Sequence, residues 1–290
     1  MSSYEEYRIM AAFCKYLNRT QGYKFWRTGT INQWEDAEEA HPKEFAEWRE
    51  TEEFAKLAGL PWPPPPKPST EPKSPKATTV TTLCIAAQKG GAGKTTLAQC
   101  LAVEALRQGM PAAIIDTDPQ QSAFKWGARR EERDIDAPAV VTVGAQPVKQ
   151  VAAELADRGA QIILIDTPPH AAATINAALE VANAAIMVTR PNPMDLESLG
   201  ATWAIVQRMR LPTATIFTQV PPGERARALR LGQGLLDELG ISYCPTPLSY
   251  TLSYPYAQAE ALAVQEREPT SKARAEVAEV WSWLRRSGIM

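Results

Sequence analysis

The octet Lys89-Gly90-Gly91-Ala92-Gly93-Lys94-Thr95-Thr96 has the residue types needed to hold a polyphosphate. It follows the apolar run Leu83 to Ala87 and precedes the helix-forming run Leu97 to Arg107. A strand should therefore lead through a glycine turn into a helix start, where free backbone N–H groups and the positive helix end favour anions. Lys94 is expected to reach the β and γ phosphates. Thr95 should offer its hydroxyl to a Mg²⁺ position, and Thr96 should hydrogen-bond nearer the α phosphate. The competing reading, a tight turn with incidental glycines, leaves both lysines and the paired threonines unexplained.

Two further carboxylate groups stand at the ends of apolar runs. Ala112 to Ile115 leads into Asp116-Thr117-Asp118-Pro119-Gln120, and Gln161 to Ile165 leads into Asp166-Thr167-Pro168-Pro169. Continuous apolar runs ending in Asp are the pattern of a parallel sheet covered on both faces, with ligand groups at the carboxyl ends of its strands. An Asp in such a place can hold the water ligands of Mg²⁺ or orient an attacking water. It can also simply cap the next helix.

The phosphate loop is a variant, because Gln88 occupies the position where the strict G-x-x-x-x-G-K-[ST] pattern has its first glycine. With the early lysine Lys89, the stretch resembles the deviant Walker A loop of the ParA/MinD/nitrogenase iron protein superfamily of P-loop ATPases. Asp116 to Ala123, followed by Trp126 and Arg129-Arg130, is similar to the DxDPQxSAxxW stretch of ParA-type plasmid partition ATPases. The resemblance covers about residues 80 to 286. It implies an α/β P-loop NTPase with a mostly parallel central sheet flanked by helices, using ATP and Mg²⁺. It also implies that Lys89 reaches the nucleotide of a partner subunit, that Asp118 positions the hydrolytic water, that Asp116 supports the Mg²⁺ shell, and that Asp166 is the Walker B carboxylate. Gln219, Pro221 and Pro222 stand near the place of the adenine-flanking segment, though they also read as a turn ending a strand. Thr251 falls where many ParA proteins carry an arginine, which bears on any DNA contact there.

The other elements expected around these residues are ordinary for such a domain. Apolar runs at Ala184 to Val188 and Ala214 to Phe217 read as strands, Leu196 to Met209 as a helix, and Thr270 to Arg286 as a helix with a broad apolar face. Cys14, Cys84, Cys100 and Cys244 show no paired spacing. Neither a zinc site nor a disulfide framework follows from them, and a reducing cytosol fits. The proline-, serine- and lysine-rich segment 61–79 reads as an extended linker. It divides a small helical module, Met1–Leu60, from an ATPase domain over residues 80–290. The module interleaves Arg8, Lys15, Arg19, Lys24 and Arg27 with aromatic residues, a mixture compatible with a small aromatic core or with nucleic-acid contact.

In 290 residues with 44% hydrophobic content, no run approaches the roughly 18 apolar residues of a membrane span, and a cytoplasmic protein is expected. A formal net charge of −2 argues against a globally basic DNA coat but allows a local patch, for which Arg208, Arg210, Arg225, Arg227, Arg230, Lys272 and Arg274 are candidates. The resemblance implies a slow ATPase that dimerises around ATP, binds DNA without sequence preference as the nucleoid-associated dimer, and is stimulated by a ParB-like or other adaptor. A MinD-like membrane-associated ATPase, a cargo-positioning or conjugative-transfer ATPase, and a nucleotide-gated protein-binding module with little turnover are the alternative readings.

Overall fold

The computed structural model describes Trp48, residues 80–143 and 147–221, Gly223, and residues 225–290. The expected module Met1–Leu60 and linker 61–79 therefore lie outside the described residues, apart from Trp48, which is helical and buried. Residues 80–156 and 160–290 belong to one compact unit.

In that unit β1 (Thr81–Ala86) leads through the glycine loop into α1 (Lys94–Arg107). There follow β2 (Ala112–Asp116), α2 (Ser122–Glu131), β3 (Ala139–Thr142), α3 (Val148–Asp157), β4 (Ile162–Asp166), α4 (Ala172–Leu179) and β5 (Ala184–Thr189). The second half holds α5 (Pro193–Val206), a 3₁₀ turn (Gln207–Met209), β6 (Thr213–Phe217), α6 (Arg225–Glu238), β7 (Ser242–Tyr243), α7 (Ser253–Ala259), α8 (Val264–Arg267) and α9 (Lys272–Arg286). The strands form one seven-stranded sheet in the order β3-β2-β4-β1-β5-β6-β7, and every pair is parallel. This is the P-loop NTPase architecture expected from the sequence.

The strand sequences explain the layering. β2, β4 and β5 are buried at every residue, so neither face alternates with polar residues, as a sheet sandwiched between helices requires. The two edge strands differ: β3 is half-exposed throughout, and β7 is exposed at Ser242 and half-buried at Tyr243. α1 packs on one face with Leu97, Leu101 and Ala105 wholly buried, and α9 joins the same core through Val277, Val280, Trp281 and Leu284. Burying each such large apolar side chain contributes about 1.5–3 kcal/mol. The broad apolar face read for the last helix is thus core.

Topology then creates the crevice. The chain runs from β1 to β2 and β3 on one side, returns to insert β4 between β2 and β1, and crosses to β5 on the other side. That reversal lies beside β1, and ligands of open α/β sheets bind outside the carboxyl ends of strands at such a switch point. Register aligns those ends, because Asp166 pairs with Ile85 on one side and Asp116 on the other.

Candidate functional site

The loop after β1 is built by two glycines in the left-handed region. Gly91 has φ 71°, and Gly93, with φ 91°, is the residue before α1. A side chain at either would be strained. The first intrahelical bond, from Leu97 N to Gly93 O at 2.9 Å, leaves the N–H groups of the first turn without helical acceptors. Two side chains from the loop after β6 hold this turn from below. Thr218 Oγ1 donates to Ala92 O at 2.6 Å, and Gln219 Nε2 donates to Gly91 O at 2.7 Å.

Lys94 is buried, and its Nζ donates to Ala87 O at 3.2 Å and Lys89 O at 3.5 Å. Its ammonium is pushed below the usual lysine range by desolvation, against which the negative charges of Asp166 and Asp118 pull. A cation held this way needs little rearrangement to meet phosphate charge, which would supply the missing counter-ion.

Asp166 ends β4 with 1% of its surface exposed. Thr95 Oγ1 donates to its Oδ2 at 2.6 Å, while its buried Oδ1 has no hydrogen-bond partner. Burial pushes this carboxyl up to about 7, the Thr95 hydrogen bond opposes the shift, and neighbouring Asp116 reinforces it. An orphaned buried carboxylate oxygen beside a threonine hydroxyl fits a hard divalent cation, which would take oxygen donors and offset the desolvation. Among the described residues no group of three His, Cys, Asp or Glu side chains could hold a metal by itself. A cation here would therefore also need phosphate or water oxygens, as Mg²⁺ prefers.

Asp116 is also buried, but both its oxygens are engaged. Oδ1 accepts from Asp118 N and Oδ2 from Phe124 N, each at 3.0 Å. Burial raises its pKa, and these N–H groups oppose that. Its carboxylate thus shapes the turn and the start of α2. Asp118 is half-buried, with Oδ1 accepting from Gln120 N at 2.8 Å. It lines the same cleft as Gly90 to Thr96.

That cleft has a volume of about 880 Å³, and its far wall is α2, through Ser122, Lys125, Trp126 and Arg129. A second cavity of about 240 Å³ adjoins it. Gly93, Thr96, Gln219 and Gln258 line both. The smaller cavity is closed by Thr218 and by the segment from Leu248 to Pro255, including Tyr250 and Tyr254. Pro221 is exposed and lines neither cavity, and Pro222 lies outside the described residues. Lys89 is half-buried on the loop.

Sequence reasoning missed the wall from Leu248 to Gln258. It is anchored by Glu276 of α9, which accepts from Ser249 N at 2.8 Å and Ser249 Oγ at 2.6 Å. No periodicity signals a contact 27 residues apart. Thr251, singled out only for the arginine it replaces, lines the smaller cavity, and its Oγ1 accepts from Ser253 N at 3.3 Å at the start of α7.

Comparison with known proteins agrees with this geometry. Residues 83–231 match the family model described as the CobQ/CobB/MinD/ParA nucleotide binding domain. The chain is 27% identical over 193 residues to the maintenance of carboxysome distribution protein A of Halothiobacillus neapolitanus, covering 63% of this chain and 86% of that one. It is 26% identical over 180 residues to protein ParA of Rhizobium radiobacter, covering 59% and 78%. The septum site-determining protein MinD of Pyrococcus horikoshii, solved with Mg-ADP, shares the fold with a TM-score of 0.54 at 16% identity, covering 73% of this chain and 98% of that one.

Proposed function

The chain belongs to the CobQ/CobB/MinD/ParA family of nucleotide-binding proteins, and from that premise we propose that it is a Mg²⁺-dependent, ATP-dimerising ATPase of the ParA kind. The observation that carries this reading is the meeting of Lys94, Thr95 and the orphaned oxygen of Asp166 at the mouth of a cleft that Asp118 also lines.

In this reading the N–H groups of Gly91 to Thr96 and the ammonium of Lys94 hold the β and γ phosphates. Thr95 and Asp166 hold Mg²⁺, which when bound draws charge from the β and γ oxygens. Asp116 fixes the turn that carries Asp118, and Asp118 orients the attacking water for in-line displacement. Lys89 stabilises charge on the nucleotide of a second copy. The base enters the smaller cavity, against Gln219 and the segment from Leu248 to Leu252. That departs from the sequence expectation by drawing on residues from further along the chain in place of Pro221.

The output we propose is DNA partition. The ATP dimer binds DNA without sequence preference, a ParB-like adaptor accelerates otherwise slow hydrolysis, and hydrolysis releases the DNA. The relative named for carboxysome distribution supports a second reading in which the same cycle positions a protein cargo. Arg208, Arg210 and Arg230 are exposed and are the cations we assign to DNA. Lys272 is already 3.6 Å from Glu276.

Light-scattering mass and DNA co-sedimentation of one sample, without nucleotide, with ADP, and with ATP plus Mg²⁺, test this. A dimer that sediments with unrelated DNA only with ATP, and less so as salt rises, supports it. An ATP dimer that ignores DNA keeps the ATPase cycle and removes DNA partition.

A further inference from the structure

Gln258 of α7 is 162 residues from the glycine loop in sequence, yet its side chain bridges the first two turns of α1. Its Nε2 donates to Thr96 Oγ1 at 3.0 Å and to Gln99 Oε1 at 2.7 Å. Its backbone carbonyl accepts from Arg129 Nη2 of α2 at 3.0 Å. It lines both cavities, at the junction where a nucleotide spanning them would carry its sugar and α phosphate.

We propose that Gln258 is a positioning residue of the nucleotide site, acting through the hydroxyl of Thr96 rather than on the nucleotide itself. This rests on the nucleotide reading above. A side-chain amide nitrogen has two protons, and both are committed here, one to Thr96 and one to Gln99. Thr96 is therefore held as an acceptor on the Gln258 side, and its single proton remains to be donated elsewhere. Thr96 lines both cavities, so that proton is available to an α-phosphate oxygen. Left without a donor at position 258, a helical threonine hydroxyl turns back onto a carbonyl of the preceding turn. The carbonyl four residues back is Ala92 O, which also accepts from Thr218 Oγ1. Gln258 thus holds Thr96 in the rotamer that serves phosphate rather than turned back on the loop.

The test is a double-mutant cycle between Gln258→Met and Thr96→Val in the full chain. Both changes nearly preserve volume, and the cycle is read on ADP and ATP affinity, with thermal unfolding without nucleotide as a second readout. Each single variant is expected to weaken both nucleotides roughly three- to tenfold, the size of one neutral hydrogen bond, and the double variant no more than either single one. In ATP turnover the loss should fall on KM with kcat unchanged, because the α phosphate takes no part in the bond change. Unchanged affinity in Gln258→Met, or losses that simply multiply in the double variant, would overturn the positioning role while leaving the nucleotide site intact. A coupling seen only in thermal unfolding would reduce Gln258 to a packing residue. Failure of the wild-type chain to bind either nucleotide would instead overturn the nucleotide reading, and this inference with it.

Discussion

At the scale of single residues, burial works against the charged forms of Lys94, Asp116 and Asp166. Lys94 is desolvated, and its amine is shared between two carbonyls. Lys94→Ala is expected to lose detectable binding in a fluorescent-nucleotide titration, since the loop would lose the lysine buried beneath it, Lys89 being assigned to the second copy; normal affinity would remove the loop from phosphate binding. Asp166 gives a pH-dependent expectation. Its folded-state pKa of about 7 lies above the ordinary 3.8, so between those values the folded state binds more protons than the unfolded one. Stability without metal must then fall as pH rises. With Mg²⁺ chelated, the wild-type melting temperature should decline from pH 5.5 to 7.5. Asp166→Asn should flatten that slope, melt higher at pH 7.5, and lose the Mg²⁺-dependent gain in nucleotide affinity. A shift of this size corresponds to about 4 kcal/mol at most, and a variant no more stable than wild type at pH 7.5 would contradict it. Residue chemistry was the most legible layer of the sequence, because glycine, lysine, threonine and aspartate carry their roles in their types. Partner atoms were not legible. That both oxygens of Asp116 accept from backbone N–H groups depends on how the turn folds over itself.

At the scale of elements, the strands that end in the site were readable because burial on both faces removes alternation and leaves a bare apolar run. β7 was not, since two residues carry no pattern. Nor was Gln258, because α7 is seven residues long and its importance arises from what lies opposite it. α6 gives a test of how closely the elements fit. A Cβ at Gly232 would lie 2.5 Å from the Phe217 ring, whereas one at Gly234 would meet nothing within 4 Å. Gly234→Ala should therefore stabilise by up to about 1 kcal/mol through helix propensity. Gly232→Ala should destabilise, because overpacking costs about 1–3 kcal/mol and exceeds the same propensity gain. Chemical denaturation of the two variants side by side decides this. The clash has a functional reach as well: Phe217 is followed by Thr218 and Gln219, the two side chains that hold the glycine loop, so Gly232→Ala should also weaken nucleotide binding while Gly234→Ala should not.

At the scale of the whole domain, α2 is fastened to the segment from Gln258 to Glu266 by three side chains that donate to its carbonyls. Trp126 Nε1 donates to Leu262 O at 3.3 Å, Arg129 Nη2 to Gln258 O at 3.0 Å, and Arg130 to Ala261 O at 3.0 Å. Arg130 is 2% exposed, lies over the Trp126 ring, and meets Glu266 through both terminal guanidinium nitrogens at 2.7 Å. A bidentate pair with its guanidinium buried and its carboxylate half-buried has little freedom to slide. Amide hydrogen exchange should then show residues 122–131 and 258–267 gaining protection together on ATP binding, and Arg130→Met should separate the two responses. Independent responses in the wild type would refute the linkage. Of the basic pair Arg129-Arg130, Arg130 is consumed in this fastening, while Arg129 gives one bond to a neutral carbonyl and keeps its exposed charge at the edge of the cleft. Because Asp118 stands just upstream of α2 and Gln258 sits between the two cavities, the fastening joins what would otherwise be two local equilibria. Thermodynamic reciprocity follows. Whatever grips the outer surface of residues 258–267 must alter nucleotide affinity by the same factor by which nucleotide alters its own.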